Sequence, residues 1–265
     1  MFPPPPRRIE ALIRSLGTAH GRKKSGLAVL EGVRAAESLQ ASGAPVKAVI
    51  ALAGALRDER TGRVVSGFAA RGAPVFEAAA TLMKALTQVE APQGVFVICE
   101  PPRVTLEDAL RHAFVLAADA VQDPGNLGTM LRLAAAFGVG AVVTTKGTVE
   151  VANPKTVRAA AGAWPGLPVA DGVEPGVLVR ALKSAGHRIV VADARGTADT
   201  ESVGWAGKIA LVAGSEGHGA GTALAAAAAV RVRIPLAPDV ESLNVASACA
   251  ILLAQSARRR GFPAH

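Results

Sequence analysis

Five short apolar runs in the second half of the chain constrain its fold more than any other feature. Each has the length and composition of a buried strand, and the segments between the runs have the apolar spacing of helices. Strands that alternate with helices are joined by crossover connections, so the sequence predicts an α/β fold with a parallel sheet covered on both faces. The predicted strands are residues 114–118, 140–144, 188–192, 209–213 and 230–235.

The first hundred residues predict a smaller α/β unit. Its predicted elements are a helical stretch at 30–39, a strand at 46–52, a helix near Leu56, an extended piece at 74–76, a helix at 82–86 and a strand at 94–99. The segment Glu100-Pro101-Pro102-Arg103 then breaks the pattern, because a proline pair after a buried strand marks a boundary. We therefore expect one domain at 1–103 and a second at 104–265.

Basic side chains are concentrated in the first of these domains. The chain has 29 Lys and Arg against 21 Asp and Glu, a net charge of +8. Residues 1–103 contribute a net +6 and residues 104–265 a net +2. A basic domain beside a nearly neutral one indicates an anionic partner, and nucleic acid is favoured over a membrane because no basic amphipathic helix stands out.

Composition excludes several other classes of protein. Aromatic residues make up 3% of the chain, which argues against an RNA reader built on stacked rings. Cys99 and Cys249 are the only cysteines, too few for a zinc cluster or a disulfide scaffold, so a reduced cytoplasmic protein is expected. The N-terminus is a proline tract rather than a signal sequence, and no apolar run reaches about 18 residues. We expect neither secretion nor a membrane span.

Three segments that follow predicted strands carry unusual chemistry, and parallel sheets bind ligands at such strand ends. The first runs Asp123-Pro124-Gly125-Asn126-Leu127-Gly128 and is followed by Arg132. Proline and glycine predict a tight turn, Asn126 is placed to cap the next helix, and Arg132 lies off the apolar stripe of that helix. Taken alone, the segment also fits an ordinary strand-turn-helix with a solvated arginine.

The second segment, Gly214-Ser215-Glu216-Gly217-His218-Gly219, places three glycines around one carboxylate. Glycine lets the backbone approach a ligand closely, although an ordinary flexible loop is the alternative. The glycine spacing is not that of a dinucleotide fingerprint. Its place late in the chain excludes the common seven-stranded methyltransferase fold, whose glycine loop follows the first strand.

The third segment begins with Ile234-Pro235-Leu236 and continues with Ser242-Leu243-Asn244-Val245-Ala246, which opens a helix. Ser242 is expected to be the N-cap of that helix. Asn244 is then left without a structural role if it faces inward. Further on, Arg258-Arg259-Arg260 is expected at the helix C-terminus, where the dipole favours cations.

In order and spacing the three segments resemble the motifs of the SpoU (TrmH-type) family of RNA ribose 2'-O-methyltransferases, within the knotted SPOUT superfamily. Gly214 and Ile234 are 20 residues apart, and Leu243 follows 9 residues later. The first domain is similar to the L30e-like substrate-binding module that often precedes this family's catalytic domain. The segments that carry this second resemblance are Arg22-Lys23-Lys24, Val29-Leu30-Glu31-Gly32 and Ala91-Pro92-Gln93-Gly94-Val95. The resemblance therefore covers nearly the whole chain.

The resemblance implies a C-terminal trefoil knot, a homodimer, and S-adenosylmethionine as the cofactor, with no metal. The residues that it implies for cofactor binding are Ala213, Gly214, Glu216, Gly217, Ile234, Leu236, Ser242, Leu243, Asn244 and Ala246. One departure is Ala160, where family members commonly have serine.

For catalysis the resemblance implies Arg132, with Asn126, Glu216 and Asn244 in supporting positions. Arginine is a poor base, so orienting the ribose and stabilising the developing alkoxide is the expected role of Arg132. Glu216 is expected to hold either Arg132 or Asn126, and His218 is expected to be solvated.

RNA binding is expected from Arg22, Lys23, Lys24 and Arg132. The expected substrate is 23S rRNA, with tRNA as the alternative. A catalytically silent RNA-binding relative is the alternative to an enzyme, and such a relative would be expected to have lost Arg132, Asn126 or Asn244.

Overall fold

The computed structural model describes residues 2–86 and 94–261, and the chain divides into two compact units. Unit 1 comprises Met1–Pro102 and Ala152–Gly166, and unit 2 comprises Arg103–Val151 and Leu167–His265. The first boundary lies one residue before the expected division at 103 and 104. The segment Ala152–Gly166 belongs to unit 1, which corrects the expectation of one continuous second domain. This return to unit 1 was not predicted, because no change in composition marks it.

Unit 1 is built on a mixed sheet. Its helices and strands, numbered along the whole chain, are α1 (Arg7–Leu16), α2 (Ala19–Ser25), β1 (Ala28–Glu31), α3 (Val33–Ser42), β2 (Val46–Leu52), α4 (Glu59–Ala70), β3 (Val75–Ala78), α5 (Ala80–Leu86), β4 (Val95–Cys99) and α8 (Pro154–Ala159). Over residues 2–86 and 94–102 the strand order is β1-β4-β2-β3, with β2 and β3 parallel and the other pairs antiparallel. The predicted small α/β unit is thus confirmed.

Two predictions for unit 1 were wrong in detail. The helical stretch expected from residue 30 is strand β1 up to Glu31, and Gly32 with φ of +103° separates it from α3. Near Leu56 there is only a 3₁₀ turn, and the longer helix α4 starts after Asp58, which accepts a hydrogen bond from the Thr61 amide. Residues 91–93 of the L30e-like resemblance lie outside the described residues.

Unit 2 is built on a parallel sheet. Its described elements are α6 (Leu106–Ala109), β5 (Phe114–Asp119), α7 (Pro124–Ala136), β6 (Ala141–Thr145), β7 (Val169–Val173), α9 (Pro175–Ser184), β8 (Arg188–Ala192), β9 (Ala198–Asp199), β10 (Ile209–Gly214), α10 (Thr222–Ala226), β11 (Val230–Arg233) and α11 (Val245–Arg259). In the described part of unit 2 the order is β7-β6-β5-β10-β8-β11-β9, and each neighbouring pair is parallel. The five predicted strands are confirmed, and β7 and β9 were not predicted.

Helices cover both faces of the parallel sheet, as the sequence predicts. On one face Val115 and Ala117 of β5 join a core with Leu178 and Leu182 of α9 and with residues of α6 and α10. Side chains alternate along a strand, so Leu116 and Ala118 point to the opposite face, where α7 packs against α11. The C-terminal knot stays a prediction.

The glycine segment follows β10, the neighbour of β5, and only β11 comes after it in the described sheet. This position agrees with the expectation that the glycine segment does not follow the first strand of the sheet. Among the described residues, no helix is long and apolar enough to cross a membrane.

Candidate active site

The helix that follows β5 is capped by Asp123 rather than by Asn126. The Asp123 carboxylate accepts a hydrogen bond from the Asn126 backbone amide at 2.8 Å, and Pro124 occupies the first turn of α7. Both features favour helix initiation at this point. The expected cap role of Asn126 is therefore wrong, and its side chain is free to make other contacts.

The Asn126 side chain connects the other two segments. Its Nδ2 donates to Oε1 of Glu216 at 2.6 Å, and its Oδ1 accepts from Nδ2 of Asn244 at 2.9 Å. We call Glu216, Asn126 and Asn244 the polar triad. It lies at the edge of the sheet where the parallel strands end, the place at which open α/β sheets bind ligands.

Asn244, not Ser242, is the N-cap of α11. Its Oδ1 accepts from the backbone amides of Ala246 at 2.9 Å and Ser247 at 3.2 Å, while Nδ2 makes the bond to Asn126. One side chain thus starts the helix and completes the triad. Ser242 is exposed, and the expectation that it caps the helix is wrong.

The glycine segment forms a small closed turn after β10. Ser215 and Gly219 exchange two backbone hydrogen bonds, of 3.0 and 2.9 Å, and Gly219 has φ of +67°. A Cβ on Gly214 would lie 1.9 Å from the Gly219 carbonyl carbon, so only glycine fits at this position. In the structure Gly214 closely approaches Gly219 and Ala220 of the same turn, and its close approach to a ligand stays a prediction. The turn presents Glu216 to Asn126.

A buried carboxylate at the end of β5 was missed by the sequence analysis. Asp119 is 2% exposed, and its Oδ1 accepts from Thr145 Oγ1 on β6 at 2.6 Å. Its Oδ2 accepts from the Gly221 amide, just beyond the glycine turn, also at 2.6 Å. Thr145 Oγ1 in turn accepts from the Ala120 amide at 3.0 Å. An aspartate that ends an apolar strand was the available signal, since a buried carboxylate needs partners.

Arg132 lies on α7, and its side chain is exposed. Within residues 2–86 and 94–261 it makes no hydrogen bond or ion pair, so Glu216 holds Asn126 and not Arg132. Arg132 therefore lies on the same helix as Asn126, and its exposed guanidinium is available to bind an anion.

The residues expected to bind the cofactor fall into two groups. Ile234, Leu236 and Leu243 follow β11 with their apolar side chains half-buried, and Gly217 in the glycine turn has no atom within 4 Å of a Cβ position. Ala213 and Ala246 are buried, and the Ala246 amide is bonded to Asn244. Half-buried apolar side chains of this kind are suited to an adenine base, which needs an apolar slot with a few polar partners.

The basic segment of α2 divides into buried and exposed residues. Arg22 is 7% exposed, and its guanidinium donates to the Leu16 carbonyl at 3.0 Å. Lys23 and Lys24 are exposed. Arg22 therefore supports the fold of unit 1, which corrects its expected RNA contact and leaves the two lysines as candidates.

The structure also locates the cysteines, His218 and Ala160, which the sequence analysis singled out. Burial raises the pKa of the Cys99 and Cys249 thiols to about 12, so both are inert thiols. His218 is exposed in the glycine turn. Within the described ranges no group of three His, Cys, Asp or Glu is placed to hold a metal ion. Ala160, at the C-cap of α8, is fully buried in unit 1.

An all-parallel sheet with helices on both faces and a triad of polar side chains at its carboxyl edge defines an α/β enzyme with a ligand site at the strand ends. Comparison with known proteins makes the assignment specific. The chain belongs to the SpoU rRNA Methylase family, whose sequence profile matches residues 113–254. Residues 10–97 match the MRM3-like substrate binding domain.

Relatives and solved structures agree with this assignment over nearly the whole chain. The 23S rRNA (guanosine(2553)-2'-O)-methyltransferase RlmP of Bacillus subtilis is 34% identical, with 91% of this chain and 92% of the relative covered. An AdoMet-bound rRNA methyltransferase from Sinorhizobium meliloti has 27% identity and a TM-score of 0.86, covering 97% of this chain and 95% of that one. The SpoU methyltransferase AviRb from Streptomyces viridochromogenes, with AdoMet, has 26% identity and a TM-score of 0.82, covering 97% and 98%.

Proposed function

We propose that this protein methylates a ribose 2'-hydroxyl in 23S rRNA with S-adenosylmethionine as the methyl donor. The observation that carries the proposal is the polar triad, in which three segments distant in the chain are hydrogen-bonded at the carboxyl edge. The name of the Bacillus subtilis relative supports rRNA as the substrate, and the AdoMet-bound neighbour structures support the cofactor.

The chain's own residues supply binding and orientation. S-adenosylmethionine supplies a methyl group on a sulfonium, which is already activated for transfer and needs no metal. Ile234, Leu236 and Leu243 would contact its adenine, and the backbone of the glycine turn would line its other side. The reaction then requires that the 2'-hydroxyl be held in near-attack geometry while it loses its proton.

The triad is suited to holding the ribose. An asparagine amide carries two N–H donors, and Asn126 and Asn244 each use one of theirs within the triad. The second N–H of each is available to a ribose oxygen, and Glu216 fixes the orientation of Asn126. Arg132 would bind a neighbouring phosphate and stabilise the negative charge that develops on the 2'-oxygen, because a guanidinium stays protonated in proteins.

Unit 1 would supply RNA affinity. Lys23 and Lys24 at the C-terminal end of α2 are exposed cations suited to phosphate contacts.

We also propose a homodimer packed through unit 2. Ile251 on α11 is 37% exposed, and Ala135 and Ala136 on the adjacent α7 are exposed as well, so a second copy would cover an apolar strip. Light scattering at micromolar protein should give twice the chain mass, and a monomer with full activity would contradict the dimer.

The direct test is methyl transfer with purified protein, labelled S-adenosylmethionine, and 23S rRNA or tRNA in parallel. The expected result is label in 23S rRNA at a ribose whose 3' linkage resists alkaline hydrolysis. Label in tRNA alone would reassign the substrate. RNA binding without transfer would show a catalytically silent relative and overturn the proposed activity.

A further inference from the structure

Asp119 is the one buried carboxylate among the described residues that contacts two of the loops at the carboxyl edge, and no step proposed above uses it. Its backbone pairs in register with Gly214, the residue that begins the glycine turn. Its side chain is nevertheless bonded to neither Asn126 nor Glu216. Both oxygens are used elsewhere, Oδ1 by the Thr145 hydroxyl and Oδ2 by the Gly221 amide.

The two hydrogen bonds of the Asp119 side chain lead to the two segments that carry Glu216 and Asn126. Gly221 ends the segment that contains Glu216, so the bond from its amide fixes the far end of the glycine turn. Ala120 starts the segment that leads to Asn126 and has φ of +53°, a conformation that alanine rarely adopts. The Ala120 amide donates to Thr145 Oγ1, the same hydroxyl that donates to Asp119. A continuous chain of hydrogen bonds therefore runs from Ala120 through Thr145 and Asp119 to Gly221.

The loop after β6 adds a second attachment to the same segment. Thr148 Oγ1 donates to the Ala118 carbonyl at 3.1 Å, and the Val149 amide donates to the Val121 carbonyl at 2.9 Å. The segment from β5 to α7 is thus held from β6, and Asp119 joins it to the segment after β10. Short bonds in a dry environment restrain geometry strongly, because no water competes for the donors.

We propose that Asp119 is a positioning residue that sets the separation of Asn126 and Glu216 for methyl transfer. This inference rests on the proposed function, since it assigns a role in that same site. Asp119 itself touches neither substrate nor cofactor in this assignment. Its effect reaches the reaction through Thr145 on one side and Gly221 on the other.

The test is a double-mutant cycle on the full chain, read as the single-turnover rate at saturating cofactor and RNA. Asp119→Asn keeps an acceptor for the Gly221 amide but replaces the acceptor of the Thr145 hydroxyl by a donor. Thr145→Val removes that hydroxyl. We expect each to lower the rate by about tenfold or more. The double variant should lie within about threefold of the slower single variant, because both changes break the same link.

Two matched controls separate positioning from loss of stability. Thr145→Ser keeps the hydroxyl and should remain within about threefold of the wild-type rate. Thr144→Val removes the next hydroxyl along β6, which donates to Asp171 at 2.5 Å and accepts from the Gly172 amide at 3.0 Å. It should lower the melting temperature about as much as Thr145→Val, yet leave the rate within about threefold of wild type. Equal rate losses in Thr144→Val and Thr145→Val, or losses that multiply in the double variant, would overturn the proposal.

A second readout does not depend on activity. Among the hydrogen bonds of the described residues none joins Thr145 to Gly221, so amide exchange at Gly221 in Thr145→Val reports whether Asp119 links the two segments. We expect exchange at this amide to accelerate by about tenfold or more in Thr145→Val and to stay unchanged in Thr144→Val. Unchanged exchange in both variants overturns the proposal. If wild-type protein transfers no methyl, the proposed function fails, and the Gly221 exchange still decides whether Asp119 links the two segments.

Discussion

The side-chain amide of Asn126 donates a 2.6 Å hydrogen bond to the carboxylate of Glu216, which lies 90 positions further along the chain. Asn126 is in the first turn of a helix, and Glu216 is in a closed turn at the end of the neighbouring strand. The bond therefore joins two segments whose positions depend on the parallel pairing of β5 with β10.

Asn126→Asp should abolish this contact, because it places two carboxylates at hydrogen-bond distance. We expect the single-turnover rate of methyl transfer to fall by at least about tenfold. Adding Glu216→Gln should recover part of the loss, since the new amide can donate to the new carboxylate, but the N–H that Asn126 offers to the ribose stays absent. A double variant slower than Asn126→Asp alone would contradict a positioning role for this bond.

Gly214→Ala should disrupt the glycine turn, since its Cβ would lie 1.9 Å from the Gly219 carbonyl carbon and 2.1 Å from the Ala220 nitrogen. S-adenosylmethionine binding, measured by calorimetry, should be lost. Gly54→Ala is the matched control outside the site, because its Cβ would meet nothing within 4 Å in the chain. If both variants fold and bind with wild-type affinity, the turn does not shape the cofactor site.

Arg132→Ala should lower the single-turnover rate by about 10² or more, the loss expected when one charge-stabilising group is removed. Cofactor affinity should stay nearly unchanged, because the apolar residues proposed to bind it follow β11. Arg180→Ala removes another exposed arginine of unit 2, on α9, and should leave the rate unaffected. A wild-type rate in Arg132→Ala would make Arg132 an ordinary surface residue.

Lys23→Ala combined with Lys24→Ala should weaken RNA binding and reduce its salt dependence, because fewer counterions are released. Fluorescence anisotropy at several salt concentrations measures the slope. Arg22→Ala should instead lower the stability of unit 1, since the buried guanidinium no longer satisfies the Leu16 carbonyl. An unchanged salt slope in the double lysine variant would remove α2 from the RNA-binding surface.

His187 should make the stability of unit 2 depend on pH. Burial lowers the pKa of His187, whose ring Nε2 lies 2.9 Å from the His112 carbonyl oxygen. The unfolded chain therefore binds a proton at a higher pH than the folded chain does, so the free energy of unfolding should decrease as pH falls below about 6.5.

Urea unfolding between pH 8 and pH 5.5, roughly spanning the histidine range, measures this dependence. His187→Gln should flatten the curve, whereas His20→Gln, which changes an exposed histidine, should not. A curve of the same slope in His187→Gln would assign the pH dependence to other groups.

Strands of mostly apolar residues were predictable from the sequence, and short or polar ones were not. The predicted strands at 46–52 and 188–192 have the observed bounds, because every residue in them except Lys47 and Arg188 is apolar. β7 was missed, since Asp171 and Gly172 interrupt its apolar pattern. β9 has only two residues, Ala198 and Asp199, and forms because β11 lies beside it.

The sequence predicted which residues form the site better than it predicted what each of them does there. Asp123 and Asn126 are both good caps, as are Ser242 and Asn244, and local propensity does not choose between them. In each pair one side chain makes a contact far along the chain: Asn126 bonds to Glu216, and Asn244 bonds to Asn126. Asp119 was missed for the same reason, because its partners lie 26 and 102 positions away.

The return of Ala152–Gly166 to unit 1 has a consequence for synthesis and for recombination. A ribosome that has made residues 1–102 has not yet made α8, whose Val157 is buried in unit 1 and whose helix packs against β1. All of Arg103–Val151 emerges first, so unit 1 completes its core only after much of unit 2 has been translated. A genetic crossover at a single joint near residue 103 would therefore separate unit 1 from part of its own core. Exchange of the whole of unit 1 between relatives therefore requires two further compatible junctions, one on each side of Ala152–Gly166.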